Sequence, residues 1–250
     1  MPRRIVSDRE FAAQRRITNM NAVSHEQRMA PLANKPAGTL LVHEVYRSVQ
    51  GESVFQGLPC VFVRTAVCDL RCVWCDTPHA FTQGTVWSLE DLVAKVQEFD
   101  TPVVEITGGE PLVQPEILPF MTRLCDLDFK VLLETGGHRD LTGVDHRVHI
   151  IMDLKCPDSG EEDANLWENV VLLKPGDEIK FVIASERDYR WAEGVIREQH
   201  LTDRVNVLLS PVYGSVKPAD LAEWLLASGL NARMQLQLHK YVWDPKARGV

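Results

Sequence analysis

From Leu40 onward, short apolar or β-branched runs alternate with stretches of helical periodicity, and this alternation limits the fold more than any other feature of the chain. The runs at 40–46, 60–65, 102–107, 129–134, 148–154, 178–183, 205–210 and 234–239 read as strands. Segments 89–99, 116–126, 187–199 and 218–228 read as helices. Ser88 with Asp91 three residues later has the form of a helix N-terminal cap, and Pro115 and Pro218 stand where a first helical turn tolerates proline. Strands alternating with helices make an α/β protein with a parallel sheet. Such sheets carry their chemistry in the loops that follow the strand C-termini. Four unusual segments fall in such loops: Cys68 to Thr77, Gly108-Gly109-Glu110-Pro111, Gly136-Gly137 and Lys155-Cys156-Pro157. Four loops on one rim describe one site.

The 250 residues suffice for one domain with a sizeable core. With 27 Lys and Arg against 35 Asp and Glu, the net charge is −8, which argues against non-specific nucleic-acid binding. No run approaches the ~20 apolar residues of a membrane span, and the N-terminus lacks the apolar stretch of a secretory leader. Residues 1–38 hold seven Lys or Arg against three acids and show no period, so they read as a disordered or flexible tail before a single domain over 39–250. Bunched cysteines in a chain without a secretion signal favour metal binding over disulfides, and point to a cytoplasmic location.

Cys68, Cys72 and Cys75 have the spacing C-x3-C-x2-C. Three thiolates so close in sequence can hold three corners of an iron–sulfur cluster, which ordinarily takes four cysteines. The missing fourth leaves one iron open to a small molecule. A second reading adds His79, four residues after Cys75, to make a Cys3His zinc site. In Gly108-Gly109-Glu110-Pro111 the glycines allow the backbone to approach a ligand closely, although Gly and Pro also mark plain turns.

The cysteine triplet together with the Gly-Gly-Glu-Pro segment resembles the radical S-adenosylmethionine (SAM) superfamily. That resemblance implies a partial (β/α)6 barrel with a 4Fe-4S cluster at its rim. Cys68, Cys72 and Cys75 would hold three irons, and the amino and carboxylate groups of SAM would chelate the fourth. An electron from the cluster would cleave SAM to methionine and a 5′-deoxyadenosyl radical that takes a hydrogen from substrate.

Tyr46-Arg47-Ser48-Val49-Gln50-Gly51-Glu52, Gly57-Leu58-Pro59-Cys60-Val61-Phe62-Val63-Arg64, and Asp76-Thr77 after the third cysteine narrow the likeness. This order resembles the 7-carboxy-7-deazaguanine synthases, and the resemblance runs from about Val42 to Val250. It implies conversion of 6-carboxy-5,6,7,8-tetrahydropterin to 7-carboxy-7-deazaguanine with loss of ammonia, on the way to queuosine and related deazapurines. Mg2+ would assist, with Thr77 as its protein ligand. Val49, Gln50, Gly51, Glu52, Arg64 and Thr107 would contact the pterin, with Arg64 pairing its carboxylate and Glu52 its guanidine-like edge. Gln237 and His239, on one face of a last strand by period two, would also reach it. Gly109, Glu134, Lys155 and Cys156 would bind SAM. The family pattern at the last pair is Ser-Pro-Lys, whereas this chain reads Leu154-Lys155-Cys156-Pro157. The partners implied are the small-molecule substrate, an electron donor such as flavodoxin or ferredoxin, and a second copy in a homodimer. Cys60 and Cys125 read as buried small apolar residues.

Two other readings share part of the signal. A glycyl-radical-activating enzyme has the cysteine triplet and a similar glycine loop but needs none of Gln50, Glu52 or Arg64. A zinc- or cluster-bearing regulatory module needs only the cysteines, and in its zinc form His79.

Overall fold

The structure, a computed structural model, describes residues 23–250. A single sheet of nine strands runs through the molecule in the order β3-β1-β2-β4-β5-β6-β7-β8-β9. Its parallel part consists of β2 (Pro59–Thr65), β4 (Val103–Gly108), β5 (Lys130–Thr135), β6 (His149–Leu154), β7 (Glu178–Ile183), β8 (Asn206–Pro211) and a two-residue β9 (Arg233–Met234). Two antiparallel strands, β1 (Thr39–Val49) and β3 (Thr85–Ser88), extend the β2 edge. The sheet does not close on itself, so the architecture is a partial barrel, as expected.

Period-two alternation divides each strand between two environments. Val61, Val63, Val104, Ile106, Val131, Leu133, Ile150, Met152, Ile179 and Phe181 belong to the large core under the helices. Those helices are α2 (Leu89–Gln97), α3 (Ile117–Asp126), α4 (Glu186–Glu198) and α5 (Pro218–Ser228), following the short α1 (His25–Met29). Cys60, Phe62, Val103, Leu132 and Ile151 form a separate apolar layer inside the barrel. Above that layer the same strands, with β7, place Arg64, Glu105, Glu134, Asp153 and Lys180 along one cavity. The expected helix start is present: Ser88 Oγ accepts from the Asp91 amide at 3.1 Å. Cys60 and Cys125 are buried, as read from sequence.

Three elements differ from expectation. The four-residue edge strand β3 was not anticipated. β1 runs three residues beyond 46 and lies antiparallel to β2. The expected strand 234–239 is confined to Arg233–Met234, because the residues after it bond elsewhere. The Leu238 amide donates to Gly51 O at 2.8 Å, and Gln56 Nε2 donates to Leu236 O at 2.7 Å. His239 then opens a one-turn helix, α6 (His239–Val242).

Residues 1–22 of the expected tail lie outside the described residues. Residues 23–38 pack on the domain: Met29 and Leu32 cover Leu41, Ala66 and Val67, and Lys35 pairs with Glu116 at 2.9 Å.

Because β1 is antiparallel to β2, its C-terminal end arrives at the N-terminal end of the barrel. The following loop, residues 50–58, crosses beneath the strands. Ser53 Oγ donates to Glu178 at 2.6 Å, Phe55 packs edge-on to His149, and Lys130 sits 5.4 Å over the Phe55 ring, so this loop touches the first residues of β7, β6 and β5. It forms a floor opposite the rim that bears the cysteines.

Candidate active site

A cavity of about 700 Å³ lies inside the barrel, within the size range of small-molecule sites. Its upper wall is the loop after β2. Arg71 shapes that loop from within: it is buried, its Nη1 donates to Cys68 O and Leu70 O at 2.6 Å, and its guanidinium lies 4.1 Å over Phe81. Asp69 fastens the outer side, where Arg28 donates to its carbonyl at 2.6 Å and Arg139 pairs with its carboxylate. His138 Nε2 lies 2.7 Å from Asp69 Oδ1. Burial raises the Asp69 pKa, but His138 and Arg139 outweigh it and hold the carboxyl below its ordinary range.

Cys68, Cys72 and Cys75 pack together as free thiols around Leu70 and Phe81. A zinc ion with Zn–S bonds of about 2.3 Å needs its sulfurs within roughly 4 Å of one another. Among the described residues, the only three metal-ligating side chains whose ligand atoms all lie within 4.8 Å are His43, Glu44 and His79. The three sulfurs are thus spread wider than one zinc ion would hold them, and His79 groups with His43 and Glu44 instead. Burial lifts all three thiols above their ordinary pKa, and Glu110 adds to the rise at Cys68. Metal binding releases those protons.

The loop after β4 lies flush against the cysteine loop. A Cβ on Gly109 would stand 2.2 Å from Val67 O, so only glycine allows this approach. Glu110 is fully buried and stitches two rim loops together. It accepts from Leu112 N at 3.0 Å and Thr135 Oγ1 at 2.9 Å through one oxygen, and from Gly136 N at 2.7 Å through the other.

Below the rim, the floor loop meets the strands in a buried ionic network. Lys180 Nζ pairs with Glu52 at 2.8 Å, with Asp153 at 3.4 Å, and with Glu134. Lys155 holds Asp153 at 2.7 Å. Thr107 Oγ1 donates to Glu134 at 3.0 Å, and Gln237 Nε2 to Glu52 at 2.8 Å. Burial opposes the charge on Lys180, but Asp153, Glu134 and Glu52 outweigh it and raise its pKa. Glu105 has the opposite balance. It is buried and bonded to Gln50 Nε2, with no ion-pair partner among the described residues. Burial, then Glu134 and Glu52, push its carboxyl well above the ordinary range.

Arg64 extends along the cavity wall, with Nε donating to Glu44 at 2.8 Å and Nη2 to the Tyr46 hydroxyl at 2.9 Å. Thr77 opens a short 3-10 turn with its Oγ1 3.8 Å from Cys75 Sγ. Beside it, burial raises the Asp76 pKa, but Lys240 at 2.9 Å outweighs it and holds the carboxyl at about 2.

Of the residues singled out from sequence, Val49, Gln50, Gly51, Glu52, Arg64, Cys68, Cys72, Cys75, Thr77, Thr107, Gly109, Glu134, Lys155, Gln237 and His239 all line this one cavity. Cys156 does not. Chain alternation after β6 turns Lys155 inward and Cys156 into the apolar core, where it is 1% exposed. Gln237 and His239 reach the cavity from a turn and a helix start rather than from one strand face. His239 packs against Gly51, where a Cβ would stand 2.2 Å from its Nδ1. Sequence reasoning missed Lys180, Glu105 and Asp153. The available signal was a charged residue in the middle or near the end of three largely apolar strands.

The comparisons agree with this geometry. Residues 62–158 match the Radical SAM superfamily, a span that runs from β2 through the cysteine loop, Gly-Gly-Glu-Pro and Lys155 to Asp158. A 7-carboxy-7-deazaguanine synthase of Chlorobaculum tepidum is 45% identical over 214 residues, covering 84% of this chain and 97% of the relative. The chain belongs to the 7-carboxy-7-deazaguanine synthase family. A second member, from Koribacter versatilis, is 44% identical over 224 residues, covering 84% of this chain and 99% of the relative. The crystal structure of QueE from Escherichia coli superimposes with a TM-score of 0.67 at 24% identity, covering 80% of this chain and 95% of that one. The synthase family is a radical SAM family, so this chain's cofactors are a 4Fe-4S cluster and SAM.

Proposed function

We propose that this synthase-family chain converts 6-carboxy-5,6,7,8-tetrahydropterin to 7-carboxy-7-deazaguanine and ammonia, in one domain over residues 39–250. The observation that carries the reading is the two-sided cavity. Its rim presents the cysteine triplet, and its floor presents Gln50, Gly51 and Glu52 with Arg64 and Glu105 beside them. Cys68, Cys72 and Cys75 would hold the cluster; Gly109, Glu134 and Lys155 would hold SAM. When bound, the two together supply a hydrogen-abstracting radical.

The chain's own residues orient the substrate beneath that rim. Glu52 is held ionised by Lys180 and aimed by Gln237, which suits two adjacent N–H donors of a pterin edge. Burial works against the charge on Arg64, but Tyr46 and Glu44 outweigh it, so the guanidinium keeps its charge to meet a carboxylate. Thr77 and its neighbours would carry Mg2+, a hard cation that keeps few protein ligands and fills its shell with water and substrate oxygens. Floor, ionic network and rim surround the reacting centre. An electron donor such as flavodoxin or ferredoxin, a cytoplasmic setting and a homodimer complete the reading.

The test is anaerobic incubation of cluster-reconstituted protein with SAM, Mg2+ and a reductant, with and without the pterin, read by mass spectrometry. SAM-dependent appearance of 7-carboxy-7-deazaguanine is the expected result. SAM cleavage without that product would overturn the substrate assignment.

A further inference from the structure

His79 was a candidate fourth ligand to the cysteines, and the structure gives it other company. It stands 5.0 Å, ring centre to ring centre, from His43. Glu44 completes the group, and the ligand atoms of all three lie within 4.8 Å of one another. His43 and Glu44 are consecutive residues of a strand, and consecutive side chains ordinarily point to opposite faces. Here the register of β1 against β2 slips between Val42, opposite Thr65, and Glu44, opposite Arg64. His43 is the extra residue of a bulge, a device that re-aims side chains beside functional sites.

The His43 ring is also oriented for ligation. Its Nδ1 lies 2.8 Å from Gln83 O, a contact that places the proton on Nδ1 and leaves the Nε2 lone pair free. Metal-ligating histidines ordinarily have such an anchored second nitrogen. Glu44 spends one oxygen, Oε1, on Arg64, and Oε2 remains.

We propose that His43, Glu44 and His79 form a second metal site, distinct from the cysteine cluster, for a divalent first-row ion of the zinc or cobalt type. Two imidazoles and a carboxylate suit such ions better than Mg2+, which prefers oxygen throughout. Bonds of about 2.0–2.2 Å place neighbouring ligand atoms about 3.3–3.6 Å apart. The three ligand atoms, now within 4.8 Å of one another, would draw in to that spacing around the ion by side-chain rotation. Three protein ligands leave at least one open position, and Glu44 and His79 both line the cavity. Arg64 opposes a nearby dication, and Glu44, lying between them, offsets that repulsion.

The test uses the full chain with its cluster reconstituted, so that the cysteines are occupied, titrated anaerobically with Co2+ alone. The expected result is one further equivalent bound with weak visible ligand-field bands and no thiolate charge-transfer band. His43→Ala and His79→Asn should each weaken that binding at least about tenfold with unchanged circular dichroism. Zn2+ should displace the Co2+. Absence of a further equivalent, the same affinity in both variants, or a thiolate band in the added spectrum would each overturn the proposal. A Glu44→Gln variant gives an independent check: it should weaken Co2+ binding while both imidazoles remain, and unchanged affinity would remove Glu44 from the ligand set.

Discussion

Replacing Lys180 by Met, a side chain of similar length, tests whether the ionic network is the keystone of the barrel interior. The Lys180 side chain is 5% exposed, and its three carboxylate partners are 15% (Asp153), 16% (Glu52) and 27% (Glu134) exposed. Asp153 retains Lys155 in the variant, Glu52 retains Gln237 and Glu134 retains Thr107. Two carboxylates thus lose their only cation. Removing one partner of a buried pair costs about 3–5 kcal/mol, and the partial exposure of Glu134 favours the lower end. For a chain of this size each kcal/mol shifts Tm by about 2–4 °C, so calorimetry at pH 7.5 should show a fall of about 6–20 °C.

The pH dependence has a definite sign. In the parent protein burial raises the Glu52 and Asp153 pKa values, but Lys180, with Lys155 at Asp153, lowers them below the ordinary carboxylate range. Their contribution is present above the unfolded-state pKa, near 4.5 and 3.8, and fades as pH falls through the folded values. Without Lys180 the Glu52 carboxyl takes up its proton at higher pH, while Asp153 keeps Lys155, so the gap between variant and parent should narrow from pH 7.5 to pH 5. A gap below about 1 kcal/mol, well under the cost of an unpaired buried charge, or one that is unchanged between the two pH values, would refute the reasoning.

Other outcomes follow from the same contacts. Gly109→Ala places a Cβ against Val67 O and should cost about 1–3 kcal/mol of strain, with SAM binding by equilibrium dialysis weakened more than pterin binding. Arg64→Lys cannot hold Glu44, Tyr46 and a carboxylate together. Loss of one charged hydrogen bond, about 1.5–3 kcal/mol, should raise the pterin KM roughly 10–100-fold with little change in kcat. Thr77→Ala should keep the cluster's absorbance but require about tenfold more Mg2+ for half-maximal rate, equivalent to about 1.4 kcal/mol. Glu110→Gln exchanges one acceptor oxygen for a donor facing Gly136 N–H or the Thr135 and Leu112 donors. It should cost about 1–3 kcal/mol in urea unfolding, an effect absent if Glu110 only caps a turn.

Most of the parallel strands were legible because each carries a short, mostly apolar and buried run, interrupted only where a charged side chain faces the cavity. β3 was not, since Thr85-Val86-Trp87-Ser88 is a short, half-exposed edge. The direction of β1 was not either, because period two is the same for parallel and antiparallel pairing. Gln235-Leu236-Gln237-Leu238-His239 has a strand's alternation, but its polar groups are used by Ser53, Glu52 and Gly51 from the other end of the chain. The cysteines and Gly-Gly-Glu-Pro were legible because each is local. Lys180 was not, because its meaning depends on three acids from a loop and two other strands. The bulge at His43 leaves no mark in composition.

The floor loop also sets an order of assembly in time. Four of its fastenings join residues 125 to 185 positions apart: Ser53 to Glu178, Gln56 to Leu236, Gln235 to Ser53, and Gln237 to Glu52. The start of the cysteine loop is fastened within 90 positions, Asp69 by Arg139 and Arg71 by Glu161, whereas Asp76 near its end pairs with the distant Lys240. At about 5–20 residues per second of synthesis, Glu52 waits on the order of 10–40 s for Gln237 to be made. During biosynthesis the start of the rim loop can therefore be fastened while the floor loop and Asp76 still await Gln235, Gln237 and Lys240, and that side of the cavity is completed last.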